Sequence, residues 1–367
     1  MSAVASSARS RAYLVRHLGW RRPNALGVGA VLVAAIVLPV VWRNDYVIDV
    51  ALTALIWMIL NQSWNLQLGI GGIWNFGQLA IFAIGAYVSA LISIHWGLPV
   101  WLAMILGGLG AAIASLVIAV PALRLRGIYA SLLTFSFAEV VRLLVISDDS
   151  GITGGTFGLS GLPDIAFGDL SPDARQRAYY WLALAIVVLT ALVIWRFIHS
   201  PLGTALKALR DSPGYAASRG VSPMRMQVIT FLVSAFIAGI AGAFYAHYFG
   251  VISPSVMGLA PMALFVAMLV VGGLGTFGGP IVGTALITVV SEYLRDFQEA
   301  RLIIVGLILL VTIVVAPRGL VPALADAWRR VQRWMAEDEA TAEARTTRPQ
   351  EPDGSSDVPV RAAKGEP

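Results

Sequence analysis

Side chains that could do chemistry are few in this sequence, and the charged ones fall into two pairs. Glu139 and Arg142 lie three residues apart in SFAEVVRLL, and Glu292 and Arg295 repeat that spacing in SEYLRD. Residues three apart share one face of a helix, so each acid can pair with its base. An ionisable residue inside a membrane is a functional candidate, but a neutralised pair is also an economical structural arrangement. Solute contact and structural pairing both stay open, and neither pair leaves an acid for a proton relay.

Other catalytic chemistry has little support. The absence of cysteine excludes disulfides, thiolate catalysis and thiolate metal sites. The four histidines are scattered without metal-ligand spacing, and no segment has the GxxxxGK[ST] pattern of a phosphate-binding loop. We therefore expect no metal site, no cofactor and no ATPase site in this chain. A membrane-embedded enzyme is correspondingly disfavoured.

The composition is that of a membrane protein. Hydrophobic residues make up 57% of the 367 positions and charged residues only 13%, whereas soluble domains carry about 25% charged residues. Several apolar runs approach the roughly 20 residues that cross a bilayer, and they are continuous, which favours helices over a barrel. The net charge of +5 is spread among these runs, which fits the positive-inside rule and not a nucleic-acid surface.

The apolar runs predict an all-α integral membrane protein, a polytopic bundle of about ten transmembrane helices. The predicted spans are 25–42, 50–68, 76–94, 99–121, 128–147, 178–198, 226–249, 258–274, 279–294 and 302–316. The first resembles a signal peptide, but VVWRNDY lacks the small residues of a cleavage site, so we expect an uncleaved helix. With the N-terminus inside, the cytoplasmic connections hold 16 Lys and Arg residues and the external ones 5. Both termini are therefore predicted to be cytoplasmic.

Four regions follow from the composition. Residues 1–24 form a basic cytoplasmic arm, 25–320 a transmembrane domain, 321–336 an amphipathic cytoplasmic helix, and 337–367 an acidic tail that is predicted to be disordered. An extension of the last span is the alternative for the third region. The longest external connection is acidic, and its acidic residues are Asp148, Asp149, Asp164, Asp169 and Asp173.

The cytoplasmic connection HSPLGTALKALRDSPGYAASRGVSPMRMQ is long for a simple linker. Residues 204–209 predict one short helix, and Ser212 can cap a second that begins at Pro213 and ends at Gly220. Two short helices would form a rigid protrusion that a partner protein can bind. An ordinary amphipathic loop is the alternative. The candidate coupling residues are Thr204, Lys207, Arg210, Ser212, Pro213, Ala216, Ala217 and Gly220.

Two glycine-rich segments share a pattern, GGIWNFG at 71–77 and GGLGTFG at 272–278. Interrupted apolar segments in two halves of a transporter point to a transport path, although glycines also serve independent helix packing. Neighbouring amides could line a wet path or could hydrogen-bond between helices. The candidate path residues are Asn65, Gly71, Gly72, Asn75, Gln78, Gly272, Gly273, Gly278 and Gly279.

Four segments in order carry a family resemblance: NFGQLAIFAIGAYVSALI, then LRGIYASLLTFSFAEVVRLL with GITGGTFGLSGLP, then TALKALRDSPGYAASRGVS, then GGLGTFGGPIVGTALI. From about residue 45 to 320 the chain resembles the permease subunits of branched-chain amino-acid ABC importers, of the LivM type. In that family's coupling loop an Ala-rich helix precedes a glycine, which matches Ala216, Ala217 and Gly220 here. Gly214 and Tyr215 depart from the general EAA pattern.

The resemblance implies a multi-pass subunit of a bacterial inner (plasma) membrane that works with several partners. These are a homologous second permease, two cytoplasmic ATPase subunits that use ATP, and an external solute-binding protein that holds most of the specificity. Force from the ATPases would then act on residues 200–223. The competing hypothesis is a stand-alone channel or secondary carrier for a small polar solute such as urea or an amide.

Overall fold

The computed structural model describes residues 44–125, 127–165, 171–297 and 299–327, together with residues 35 and 330. Its contacts divide the chain into two compact units, Met1–Ala323 and Leu324–Pro367. The predicted arm at 1–24, the tail at 337–367 and most of the span at 25–42 lie outside the described residues, as does the end of the helix predicted at 321–336.

The described residues are almost entirely helical. The helices are α1 Asp45–Asn65, which continues as a π-helical turn Leu66–Ile70, α2 Gln78–Trp96, α3 Val100–Ala122, α4 Ile128–Ile146, α5 Pro172–Ile198, α6 Pro201–Asp211, α7 Pro213–Ser218, α8 Pro223–Phe249, α9 Leu259–Gly272, α10 Gly279–Tyr293, α11 Glu299–Val315 and α12 Leu320–Ala327. Two-residue strands β1, Leu159–Ser160, and β2, Val251–Ile252, pair antiparallel.

Six of these helices are long and apolar enough to cross a membrane: α1 with its π turn, α2, α3, α4, α5 and α8. A seventh candidate appears if α11 and α12 are counted together. The all-α membrane class is therefore confirmed. Helices α9 and α10 have only 14 and 15 residues, which is about 21–23 Å at 1.5 Å per residue and short of the hydrocarbon thickness. The count of ten spans stays a prediction.

Serine followed by proline starts four consecutive helices, α5 to α8. Proline has no backbone N–H to leave unpaired and its φ suits the first helical position. The Ser200 hydroxyl accepts a hydrogen bond from the Gly203 N–H at 3.3 Å, as an N-cap should. Ser212 and Ser222 occupy the same position without a side-chain cap bond. The predicted capping by the Ser212 side chain is therefore wrong, and Pro213 alone marks that start.

The tightest packing lies among α2, α3 and α8, where glycines let backbones touch. A Cβ on Gly85 would lie 2.3 Å from the Gly239 Cα, and one on Gly242 would lie 2.0 Å from the Phe82 carbonyl oxygen. Small residues of this kind allow the close approach on which helix association in membranes depends. We call this trio the glycine-packed core. Helix α1 packs against α8, and its Trp57 ring lies 5.8 Å from that of Phe82 on α2, centroid to centroid.

The connection after α4 is folded back onto the helices. The Asp148 carboxylate accepts hydrogen bonds from Ser150 and from Thr153, and these bonds hold the pKa of that carboxyl well below its usual value. Further along, the Pro163 carbonyl oxygen lies 2.9 Å from Nδ1 of the buried His247 on α8. This acidic segment is thus an ordered surface where it is described.

Candidate functional site

Both copies of the glycine pattern break the chain between two helices. GGIWNFG separates the π turn after α1 from α2, and GGLGTFG separates α9 from α10. The backbone has φ of +65° at Gly72, +117° at Gly273 and +75° at Gly275, a region that glycine adopts without a steric penalty. The two copies therefore have the same local role, a turn that other residue types would strain.

The end of α1 and its π turn, just before the first break, contact the second break, although more than 200 residues separate them. The Asn65 Oδ1 accepts a hydrogen bond from the Gly275 N–H at 2.9 Å, and its Nδ2 donates to the Thr276 carbonyl at 2.8 Å. A Cβ on Gly69 would lie 2.3 Å from the Gly275 nitrogen. The Asn65 side chain thus satisfies two backbone groups of the second break, GGLGTFG. The short distance at Gly69 leaves no room there for a larger residue.

A third element reaches the same place from the loop between α5 and α8. Arg210, at the end of α6, donates from Nη1 to the Gly69 carbonyl at 2.8 Å. Its Cγ would lie 2.6 Å from a Cβ on Gly72, and its Nη1 3.5 Å from one on Gly275. We call this cluster the break junction: Asn65, Gly69, Gly72, Arg210, Gly275 and Thr276.

The break junction joins two groups that the sequence presented as separate. Arg210 was a candidate coupling residue, whereas Asn65 and Gly72 were candidates for the path. Gly69, Gly275 and Thr276 were missed as site residues, although all three lie in or beside the glycine-rich segments. The shared GG and FG pattern was the signal that could have paired the two breaks.

The rest of the loop has the two predicted short helices, with different ends. Helix α6 begins at Pro201 and not at residue 204, and α7 ends at Ser218, followed by Gly220 with φ of +84°. Their inner faces are held by buried Leu206, Leu209 and Ala216. Partial burial lowers the pKa of the Lys207 ammonium. The other candidate coupling residues, Thr204, Ser212, Pro213, Ala217 and Gly220, are exposed.

Two of the three amides that were candidates for the path lie in one hydrogen-bonded cluster. Asn75 and Gln78 are fully buried. The Asn75 Nδ2 donates to Gln67 Oε1 at 2.8 Å and to Gln78 Oε1 at 3.2 Å, and the Gln78 Nε2 donates to Ser63 and Ser234 hydroxyls at 2.9 and 3.2 Å. The contacts observed are therefore bonds between α1, α2 and α8, and contact with a passing solute stays a prediction.

Three further path candidates, Gly71, Gly272 and Gly279, pack backbone against backbone. A Cβ on Gly272 would lie 1.9 Å from the Gly279 carbonyl, and one on Gly71 would lie 2.8 Å from the Gln67 carbonyl. Gly278 occupies the N-cap position of α10. These glycines therefore hold the two breaks compact, beside the junction itself.

Both predicted ion pairs form. Arg142 Nε lies 2.9 Å from Glu139 Oε2 within α4. Arg295 Nη1 lies 3.1 Å from Glu292 Oε1, but Arg295 follows the end of α10 in a 3₁₀ turn and is 69% exposed. Glu292 also accepts a hydrogen bond from the Tyr46 hydroxyl at 2.7 Å. Within the part of the chain that the structure describes, no group of acidic and histidine residues could hold a metal ion.

Comparison with known proteins gives this architecture a family. The model of the "Branched-chain amino acid transport system / permease component" family matches residues 46–315. The high-affinity branched-chain amino acid transport permease LivM of Escherichia coli K12 is 34% identical over 316 residues, which cover 79% of this chain and 74% of that protein.

More distant relatives are similar over much of the chain. A probable LivM of Methanocaldococcus jannaschii is 23% identical, covering 75% of this chain and 94% of that protein, and the LivH permease of Salmonella typhimurium is 24% identical, covering 69% and 86%. No solved structure matches the chain. The matched region contains α1 to α11 and with them every residue of the break junction. The chain therefore belongs to the family of permease components of branched-chain amino acid transport systems.

Proposed function

We propose that this chain moves branched-chain or related amino acids into the cytoplasm as one permease subunit of an ATP-driven importer. The observation that carries the proposal is the contact of Arg210 with the two glycine breaks. A loop whose helix touches the backbone of both interrupted segments can pass a displacement to the helices on either side of them. A stand-alone channel would not need a cytoplasmic loop that contacts both interrupted segments.

The coupling works through a short chain of direct contacts. ATPase subunits grip the exposed face of α6 and α7, and α6 carries Arg210. A shift of Arg210 changes the hydrogen bond to Gly69 and its packing on Gly72, and Asn65 carries the change to Gly275. A partner can shift such an equilibrium only through different affinities for its two states, and a rigid helical loop converts that difference into displacement.

The topology belongs to the same proposal. Ten spans with both termini in the cytoplasm place the loop between α5 and α8 inside and the β1–β2 pair outside, in a bacterial inner membrane. The support is the excess of Lys and Arg in the connections assigned to the cytoplasm. The chain needs ATP from other subunits because its sequence has no phosphate-binding loop.

The proposed importer contains further subunits. The similarity of this chain to LivM and also to LivH permeases supports a homologous second permease beside it. Two cytoplasmic ATPases drive the loop, and an external binding protein delivers the amino acid to the outer surface, where the ordered acidic connection after α4 is available for docking.

Uptake by reconstituted proteoliposomes tests the function. We expect labelled leucine to accumulate only when this chain, its second permease, both ATPases, the binding protein and internal ATP are all present. A control that lacks the ATPases should show no concentrative uptake. Uptake of leucine, urea or an amide by this polypeptide alone, without ATP, would favour the stand-alone carrier and contradict the proposal.

A further inference from the structure

A cavity of about 260 Å³ lies among α1, α9, α10 and α11, away from the residues of the break junction. Pockets that hold drug-sized ligands begin at about 300 Å³, so this one suits a smaller molecule. Its walls mix aromatic, aliphatic and ionisable side chains, among them Trp57, Phe265, Met268, Thr288, Glu292 and Arg301.

Part of the wall is apolar and rigid. Phe265 and Met268 on α9 are 1% and 5% exposed. The ring of Trp57 on α1 packs 6.4 Å from that of Phe265, centroid to centroid. Aromatic and aliphatic walls of this kind give a small hydrocarbon group a contact surface but offer it no hydrogen bonds.

The polar residues of the wall have bonding capacity that the described residues do not use. Nε of Arg301 is buried and has no hydrogen-bond partner among them, and the same holds for Oγ1 of Thr288, a residue that is only 7% exposed. Glu292 accepts both of its hydrogen bonds from described residues, those of Tyr46 and Arg295, on Oε1. Its Oε2 accepts none from the described residues.

Such groups are costly unless something pairs with them. A buried donor without a partner destabilises a protein by about 1–3 kcal/mol, and more when the group is charged. Arg142 shows the contrasting arrangement to Arg301, since its Nε lies 2.9 Å from the Glu139 carboxylate on the same helix. Glu292 already pairs with Arg295 through Oε1, and its Oε2 is the oxygen left for a ligand. A guanidinium and a carboxylate on two helices around one cavity fit a ligand that carries both an anionic and a cationic group.

We propose that this cavity binds the free amino acid during transport. Arg301, assisted by the Thr288 hydroxyl, takes the α-carboxylate, and Oε2 of Glu292 takes the α-ammonium. Trp57 and Phe265 hold the aliphatic side chain. The assignment rests on the proposed function for its choice of ligand, and it adds a location and a role for each residue.

The position of the cavity suits that task. Thr53 and Trp57 follow the start of α1 at Asp45 by 8 and 12 residues, which is about 12–18 Å along the helix. In the proposed topology that start faces outside, and so do the end of α10 at Glu292 and the start of α11 near Arg301. The proposed topology therefore places the cavity toward the side from which the binding protein delivers the amino acid. Helices α1, α9 and α10 also run from this cavity to the two glycine breaks. A displacement at Arg210 therefore acts on the opposite ends of three cavity-lining helices.

A lipid acyl chain is the main rival occupant. It would contact the apolar wall equally well, but it would leave the Arg301 Nε and the Thr288 hydroxyl unpaired. Charge discrimination separates the two occupants, and it can be measured on the full chain without the binding protein, whose own selectivity would otherwise dominate.

Equilibrium binding to the full-length chain in lipid nanodiscs tests the proposal. The probes are L-leucine, L-leucinamide, which lacks the carboxylate, and 4-methylpentanoate, which lacks the ammonium. We expect leucine to bind in the wild type and to bind about 10-fold or more weakly in Arg301→Gln and in Glu292→Gln, because each variant loses a charged partner. Arg301→Gln should bind leucinamide as the wild type does, and Glu292→Gln should bind 4-methylpentanoate as the wild type does.

Matched control variants distinguish a loss of ligand binding at the cavity from a general loss of structure. Thr288→Val should weaken leucine binding, whereas Thr312→Val should not, because Thr312 is equally buried at 7% but donates to its own helix at Ile308. Arg177→Gln removes an external positive charge that does not line the cavity. A variant that misfolds would lose all three probes together, whereas a binding variant loses leucine and keeps the matching analogue.

The outcomes distinguish this proposal from the function on which it rests. If the assembled importer accumulates leucine while the chain binds none at millimolar concentration, the cavity assignment is overturned and the function stands. Equal leucine affinity in the wild type and Arg301→Gln would overturn it as well. If leucine binds in the expected pattern but the assembled importer fails to use ATP for uptake, the proposed function falls and the site stands.

Discussion

Glycine builds both the glycine-packed core and the break junction, with opposite results. In the core, Gly85, Gly239 and Gly242 have ordinary helical φ and let helix backbones meet over their length. At the junction, Gly72 and Gly275 have positive φ. The Gly275 N–H donates to Asn65, and Arg210 donates to the carbonyl of Gly69, near Gly72. Continuous backbone packing makes a rigid scaffold, whereas a few hydrogen bonds at a turn make a place that can change state. Under the proposed function, the first region is the fixed scaffold and the second is the one that changes state.

The largest effect is expected in the core. Gly242→Ala places a Cβ 2.0 Å from the Phe82 carbonyl, so α2 and α8 must separate. We expect a loss of about 1–3 kcal/mol or more of stability, seen as a lower unfolding temperature and less folded protein in detergent. Gly306→Ala is the matched control, because a Cβ there meets nothing within 4 Å and alanine favours a helix. Equal behaviour of the two variants would contradict the distinction.

Arg210→Ala addresses the junction and should spare the scaffold. Loss of the charged donor to Gly69 removes about 1.5–3 kcal/mol from one state of the junction, so we expect leucine uptake to fall about 10-fold while ATP hydrolysis by the assembled importer continues. Arg219→Ala is the control, since the contacts found for Arg219 are to Tyr215 on the same loop. Normal uptake by Arg210→Ala would remove Arg210 from the coupling route.

Asn65→Ala tests whether the junction acts as one unit. It removes both the bond from Gly275 and the bond to Thr276, and we expect a several-fold loss of uptake. In the double variant with Arg210→Ala, the fold-loss of uptake should be smaller than the product of the two single fold-losses, which corresponds to a coupling energy of about 0.5–3 kcal/mol. Asn65→Asp keeps the acceptor and loses the donor, so its leucine uptake should lie between that of the wild type and that of Asn65→Ala. Additive effects would mean that the two side chains act independently.

The smallest effect concerns the exposed end of the loop. Gly220 has φ of +84° with open space around its Cα, so Gly220→Ala introduces backbone strain of about 1 kcal/mol without a clash. We expect a modest fall in uptake per ATP hydrolysed, and a greater one for a bulky residue, with normal membrane insertion. Gly214 is also in open space but has an ordinary φ, so Gly214→Ala should leave the uptake per ATP hydrolysed unchanged. An unchanged coupling ratio in Gly220→Ala would count against the loop as the grip for the ATPases.

Local features of the structure could be predicted from the sequence. Apolar runs anticipated the six long spans, proline anticipated the start of α7, and the three-residue spacing anticipated the bond between Glu139 and Arg142. Each of these depends on neighbours within a few turns of helix. Errors arose where the local rule was incomplete: α6 begins one turn earlier, at Pro201, and the Ser212 side chain makes no cap bond.

By itself the sequence determined the class of protein, its permease family and the segments that interrupt its helices, because hydropathy, glycine and proline act through the local backbone. Helix packing brings Arg210 to Gly69 and Asn65 to Gly275, across separations of 141 and 210 residues. It also places Glu292 and Arg301 around one cavity with Trp57. Such contacts depend on how helices pack in three dimensions, and no spacing along the chain encodes them.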